Sequence, residues 1–166
     1  MTIREKFGSF SGLKMCFIGD GNNMANSLIV GGLKVGMNVA VATPDGYKPD
    51  GAVLEFTKGY GDKFALETDP FMAASGADIL ITDTWTSMGE EAEKEERKKI
   101  FNDYQINRQL LAAANAGAMV QHCLPAYRGQ EITEEVFEEH ADEIFNEAEN
   151  RLHAQKAVMV KLMKKD

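Results

Sequence analysis

From residue 14 onward, short apolar runs alternate with segments of helical spacing, and no Pro/Gly/Ser-rich linker or internal repeat interrupts them. The apolar runs, short and mostly β-branched or otherwise hydrophobic, predict strands at residues 14–19, 38–43, 64–68, 78–82, 118–122 and 143–146. Between them the spacing predicts helices over about 24–36, 51–60, 90–116 with a break, and 133–139, with a last helix over 149–164. This rhythm predicts an α/β fold: a doubly wound, mainly parallel sheet flanked by helices, Rossmann-like, in a single three-layer domain. In such a sheet the ligand crevice lies outside the carboxyl ends of the strands, so the residues that follow each strand belong together. Here they are unusually polar: Gly19-Asp20-Gly21-Asn22-Asn23, Asp83-Thr84-Trp85-Thr86-Ser87-Met88-Gly89 and His122-Cys123-Leu124-Pro125.

Composition narrows the possible partners. A length of 166 residues with 44% hydrophobic positions suits one domain with a buried core. Eighteen Lys and Arg against 26 Asp and Glu give a net charge of -8, the reverse of a phosphate-backbone footprint, so nucleic acid is excluded as a partner. No run reaches the ~18 apolar residues that span a bilayer, and the first residues lack the apolar core of a signal peptide. The expectation is a soluble cytoplasmic protein with no membrane partner. Cys16 and Cys123 each lie in an apolar run, which argues against a disulfide framework and fits a reducing compartment. The dense charges of residues 90–99 read as a solvated helix face.

Each polar loop has a structural and a chemical reading. Gly19-Asp20-Gly21-Asn22-Asn23-Met24 begins like a dinucleotide fingerprint, but Met24 occupies the place of the third glycine or alanine, and Asp45 reads equally as a turn residue, so the NAD signal is weak. Asn22 suits a helix cap. Asn23 is the better ligand candidate, because an amide at a helix start offers donor and acceptor to a zwitterion and the helix end favours a carboxylate. Asp83 and Ser87 on one short loop can hold an ammonium group, or can serve as turn and helix caps; Trp85 and Met88 read as packing. His122 and Cys123 point to opposite sheet faces, which makes the pair a poor chelate, and no metal motif occurs. Cys123 alone reads as a packing residue, and His140 and His153 as packed or solvated. Arg151 falls near the start of the last predicted helix, against the helix dipole, which points to recognition of a carbonyl or phosphate oxygen or to a salt bridge with Glu147 or Glu149.

Together, Gly19-Asp20-Gly21-Asn22-Asn23, Asp83 through Gly89, His122-Cys123-Leu124-Pro125 and Glu149-Asn150-Arg151 resemble the ornithine carbamoyltransferase family, in the family's own order. The resemblance continues through Tyr104-Gln105-Ile106-Asn107 and residues 128–136 and covers nearly the whole chain, but only the second, ornithine-binding half of such an enzyme. The Ser-x-Arg-Thr signature of the carbamoyl-phosphate half does not occur, and residues 1–12 resemble a remnant of the connection between halves. The resemblance implies that Asn23 and the Met88 backbone hold the ornithine α-carboxylate, and that Asp83 and Ser87 hold its α-ammonium. Cys123 and the Leu124 carbonyl would flank the side-chain amine, and Arg151, with Leu124, would meet carbamoyl phosphate. His122 would support the site from behind.

Cys123, Asp83 and Arg151 are thus the implied catalytic residues, no cofactor is implied, and the neutral amine of L-ornithine is the nucleophile. The resemblance further implies little or no turnover by this half alone, carbamoyl phosphate binding only with the other half, and a homotrimer-based parent enzyme. The isolated domain is then expected to be a monomer or weak dimer. The last helix would normally pack on the other half, leaving Leu152, Val158, Met159 and Leu162 partly exposed. Two alternatives stay open: a carbamoyltransferase half for another amine acceptor, and a non-catalytic module of nucleotide-binding type.

Overall fold

In the computed structural model, which describes residues 1–86 and 93–164, the elements run α1 (Thr2–Phe7), β1 (Lys14–Ile18), α2 (Asn23–Lys34), β2 (Asn38–Ala42), α3 (Gly51–Thr57), β3 (Phe64–Glu67), α4 (Pro70–Ala74), β4 (Ile79–Thr82), α5 (Lys94–Phe101), α6 (Arg108–Ala113), β5 (Met119–His122), α7 (Glu134–Glu139) and α8 (Ala141–Met163). The strands pair in parallel in the order β3-β2-β1-β4-β5, so the chain reverses direction across the sheet between β1 and β4. This is the doubly wound arrangement, and its switch point lies beside the polar loops after β1 and β4.

Alternation along each strand divides the core in two. Met15, Phe17, Val39, Val41, Ile79, Ile81 and Met119 face a layer built around Ala25, Ile29 and Leu33 of α2, with α1 and α3 beside it. On the other face, Cys16, Ile18, Ala40, Ala42, Leu80 and Val120 meet α4 to α7 and Ile144 of α8. Burial pushes the Cys16 thiol up to about 12, as suits an inert core residue. Helix starts follow from capping side chains: Asn22, Asp50, Asp69, Asn107 and Thr133 each accept a hydrogen bond from the first turn of the helix they open.

The expected break within residues 90–116 is real among the described residues: α5 ends in a 3-10 turn at Asn102–Tyr104 before Asn107 opens α6. The expected strand at 143–146 does not form. Those residues lie inside α8, where Ile144 is fully buried while its neighbour Phe145 is 55% exposed, a helical pattern that four residues are too few to distinguish from a strand. Helix α8 consequently begins at Ala141 rather than residue 149. Its far half carries Leu152, Val158, Met159 and Leu162 exposed, as expected, and no helix among the described residues is long and apolar enough to cross a membrane.

In place of a sixth strand, α8 covers the open edge of the sheet. The N–H groups of Met119 and Cys123 point to β4, bonding Asp78 and Thr82 carbonyls at 2.8 and 3.2 Å. Those of Val120 and His122 point outward, where no strand receives them. The Val120 N–H donates to Glu143 Oε2 at 3.0 Å, and the His122 N–H faces the Glu147 carboxylate. Four residues of helix advance about 6 Å and two residues of strand about 6.6 Å, so acids at i and i+4 match edge donors two apart. Glu143 also takes hydrogen bonds from Lys6 of α1 and from His140 Nδ1. Although burial pushes its carboxyl up, the bonds from His140, Lys6 and the Val120 N–H outweigh this and bring it down to about 2, from an ordinary 4.5. Because the folded value is the lower one, the stabilisation is complete above pH 4.5 and fades as pH falls toward 2. Glu143→Ala is therefore expected to cost about 2 kcal/mol in urea unfolding at neutral pH. The gap from the parent should shrink through that acidic window, and a gap that persists unchanged there would contradict the assignment.

Candidate functional site

The carboxyl ends of β1, β4 and β5 meet on one side of the sheet and carry three of the polar segments to one mouth. Thr82 stitches them together: its hydroxyl donates to the Ile18 carbonyl at 2.8 Å, and its own carbonyl accepts from the Cys123 N–H at 3.2 Å. Asp83, next along the chain, sits half-buried with Oδ1 accepting the Thr84 N–H at 2.9 Å. Burial holds its carboxyl above the ordinary value, against the pull of the Thr84 N–H and the Asn22 amide, and the nearby Glu131 charge adds to the rise. Cys123 is raised far more, by burial first and then by the negative charges of Asp83 and Glu147, with Arg151 offsetting little. The thiol is therefore neutral near pH 7, a weak donor beside a carboxylate and no nucleophile.

Behind Cys123, a buried pair fixes the turn that follows β5. His122 Nδ1 accepts the Leu124 N–H at 2.9 Å, so its proton resides on Nε2, which donates to Glu131 Oε1 at 3.0 Å. Glu131 is fully buried and also accepts the Tyr127 N–H, drawing residues 122–131 into a closed loop. Leu124 within it has a φ of 53°, in the left-handed region that a β-branched or bulky side chain rarely adopts, and precedes a cis Pro125. His122 thus lies in the core behind Cys123 and fixes the turn after β5.

The loop after β1 is built differently from a dinucleotide site. Asn22 caps α2 through Oδ1, accepting from Met24 and Ala25, while Asn23 is the exposed first residue of the helix. Gly21 donates its N–H to the Tyr47 carbonyl at 2.9 Å, and a Cβ there would lie 2.4 Å from backbone atoms of residues 47–49. The space that a second fingerprint glycine leaves for a pyrophosphate is filled here by the protein's own chain.

Arg151 lies mid-helix in α8, exposed, so the argument from the helix dipole does not apply to it. No ion pair within 4.0 Å joins it to Glu147 or Glu149 among the described residues; Glu149 instead faces His153 at 3.4 Å. Ser87 and Met88 lie outside the described residues. Asp83, Cys123 and Leu124 therefore lie together at the ends of β4 and β5, with Arg151 near enough for its charge to act on the Cys123 thiol and Asn23 at the start of α2 after β1. The described residues contain no cluster of His, Cys, Asp or Glu fit for a metal ion, and both cysteines are free.

Sequence reasoning missed two contributors. Glu147, one helical turn before Arg151, is pushed up to about 7 by burial and by Asp83, despite the His122 N–H and Arg151. Its signal was the i, i+4 spacing from Glu143, which only a covered sheet edge makes meaningful. Arg97, assigned to a solvated face, is 4% exposed. Its guanidinium bonds the Trp85 carbonyl and pairs with Asp20, and it lies over the rings of Tyr47 and Phe101 at 5.0 and 5.2 Å. It fastens the loop after β4 to the loop after β1, with the Trp85 ring stacked on Phe101 beneath. Arg97→Ala is expected to cost about 3 kcal/mol by removing the buried guanidinium's bonds to Asp20 and to the Trp85 carbonyl. It should also shift the emission of Trp85, the one tryptophan, to longer wavelength; an unchanged spectrum and stability would rule out the fastening role.

A family profile described as "Aspartate/ornithine carbamoyltransferase, Asp/Orn binding domain" matches residues 11–162. The chain is 56% identical over 167 residues to the ornithine carbamoyltransferase of Gloeobacter violaceus, covering 98% of this chain and 53% of that protein. Among solved structures, the ornithine carbamoyltransferase from Pyrococcus furiosus superposes with a TM-score of 0.87 at 47% identity, over 96% of this chain and 52% of that one. The enzyme structure from Gloeobacter violaceus gives 0.85 at 51% identity, over 98% and 55%. The chain spans about half the length of these relatives. With its parallel sheet, its switch point and the polar mouth beside it, the chain belongs to the aspartate/ornithine carbamoyltransferase family.

Proposed function

We propose that this chain is the acceptor-binding half of an ornithine carbamoyltransferase, presenting L-ornithine to carbamoyl phosphate held by a second half. The observation that carries this is the convergence of a half-buried carboxylate, Asp83, and a neutral thiol, Cys123, at the ends of adjacent strands, with Arg151 at the same mouth. Asp83, with Ser87, is suited to the α-ammonium, and Asn23 with the Met88 main chain to the α-carboxylate. Cys123 and the Leu124 carbonyl would flank the side-chain amine. A half-buried carboxylate short of water is stabilised by a cation, so the cost of burying Asp83 favours an ammonium ligand over a neutral one.

The reaction in this reading is attack by the amine lone pair on the carbamoyl carbon, with phosphate leaving and citrulline formed. The demands are alignment of the amine and stabilisation of charge growing on the carbonyl oxygen. The fixed turn at 122–131 serves the first, because the His122–Glu131 pair leaves Leu124 little freedom. Arg151 serves the second as a cation. The phosphate needs more cations than this mouth offers, so turnover by the chain alone is expected to be negligible, and residues 1–12 are read as part of the connection to the other half.

Calorimetric titration of the chain with L-ornithine tests this reading. Saturable binding is expected, weakened at least roughly tenfold by Asp83→Ala through loss of a charge-assisted hydrogen bond. D-Ornithine, putrescine and NAD should fail to compete. Putrescine binding as well as L-ornithine, or an Asp83→Ala variant equal to the parent, would overturn it.

A further inference from the structure

Two carboxylates of α8 cap the edge of β5, but they are not equally employed. Both oxygens of Glu143 are taken, one by Lys6 and the other by the Val120 N–H and His140. Glu147 faces the His122 N–H, but its Oε2 is buried and meets no hydrogen-bond partner within 3.5 Å among the described residues. An acceptor left dry in this way is costly until a donor reaches it. The groups facing Glu147 identify that donor's chemistry. From the strand ends come Asp83 and the Cys123 thiol, from its own helix Arg151, and from the start of α1 the Met1 ammonium at longer range. Glu147 and Arg151 also line a cavity of about 250 Å³ together with Gln121 and Met1. Around the thiol, two acids stand against one arginine, and this surplus of negative charge selects a cation with N–H donors.

Resting on the acceptor reading above, we propose that Glu147 receives the side-chain ammonium of the amino-acid acceptor and takes its proton. One N–H bond of the ammonium breaks as an O–H bond forms on Glu147 Oε2. The carboxylate becomes a neutral acid, and the amine is left with a free lone pair for the carbamoyl carbon. Asp83 then has the α-ammonium to itself, so the two acids divide the two amines of one substrate. A carboxyl raised to about 7 is matched to this exchange near neutral pH, where an ordinary one is too weak a base.

The test compares two ligands and one variant in the chain as it stands. L-Ornithine and L-norvaline, which has hydrogen in place of the side-chain amine, are titrated calorimetrically between pH 5 and 7.5. For the parent, L-ornithine affinity should rise roughly tenfold per pH unit well below 7 and flatten above it, as Glu147 ionises. L-Norvaline, which leaves the side-chain amine position empty, should show no such ornithine-specific rise. Glu147→Gln keeps an acceptor for the His122 N–H and removes a charge that is costly to bury. It should therefore fold at least as stably as the parent at pH 7.5, by thermal unfolding, while the ornithine-specific pH slope disappears. If the slope survives in Glu147→Gln, or norvaline shares it in full, Glu147 is not the acceptor, although the ornithine reading stands. If a folded parent binds neither amino acid at any pH, that reading fails and the proposal fails with it.

Discussion

Satisfying the outer edge of β5 is the constraint on which the site depends. A parallel sheet that stops at a fifth strand leaves outward N–H groups at Val120 and His122, and a buried edge cannot leave them bare. Helix α8 meets that demand with Glu143 and Glu147, and in doing so fixes its own register against the strand. Once Glu143 is locked to Val120, His140 and Lys6, the next turn must place Glu147 at His122, and the turn after that must carry Arg151 to the mouth. The position of the candidate cation is thus a consequence of backbone hydrogen bonding three residues into β5. Helix α1 is drawn into the same arrangement, because Lys6 reaches Glu143 while Thr2 and Glu5 receive hydrogen bonds from the buried Asn150.

Two further devices hold the loops that α8 faces. The His122–Glu131 pair, buried on all sides, pins Leu124 in a backbone conformation that few side chains adopt unaided. Such a pair is a poor source of stability, since both groups lose their hydration, but it specifies one geometry. Arg97 does the same for the loops after β4 and β1, its charge met by Asp20 and its flat faces covered by Tyr47 and Phe101. The chemistry of the mouth follows from this rigidity: Asp83, Cys123 and Glu147 are crowded into partly dry surroundings, and the pKa values of all three rise.

Much of this was legible in the residues. The short apolar runs at 38–43 and 78–82, the cap Asn22 and the polar segments after three strands placed the layers and the strand-end loops, because each is a local preference that the fold obeys. Three readings failed for a shared reason. Residues 143–146, the dipole argument at Arg151 and the solvated reading of Arg97 all turned on what lies beside a segment, and a short apolar run or a charged helix carries no record of its neighbour. The five-residue α4 was missed although Asp69-Pro70 marks its start, since it is too short to show a period.

The sequence by itself determined the fold class, the first five strands and the family resemblance, and it raised Asp83, Cys123 and Arg151 as one candidate set. These reside in periodicity, capping and motif order, all of which are properties of neighbours along the chain. Only the tertiary structure decided that Glu147 has an oxygen to spare, that Arg97 is buried and that His122 carries its proton on Nε2. Those are properties of desolvation and of hydrogen bonds between residues 9 to 77 positions apart, which depend on the packing of β5 against α8 and of α5 against the loop after β1.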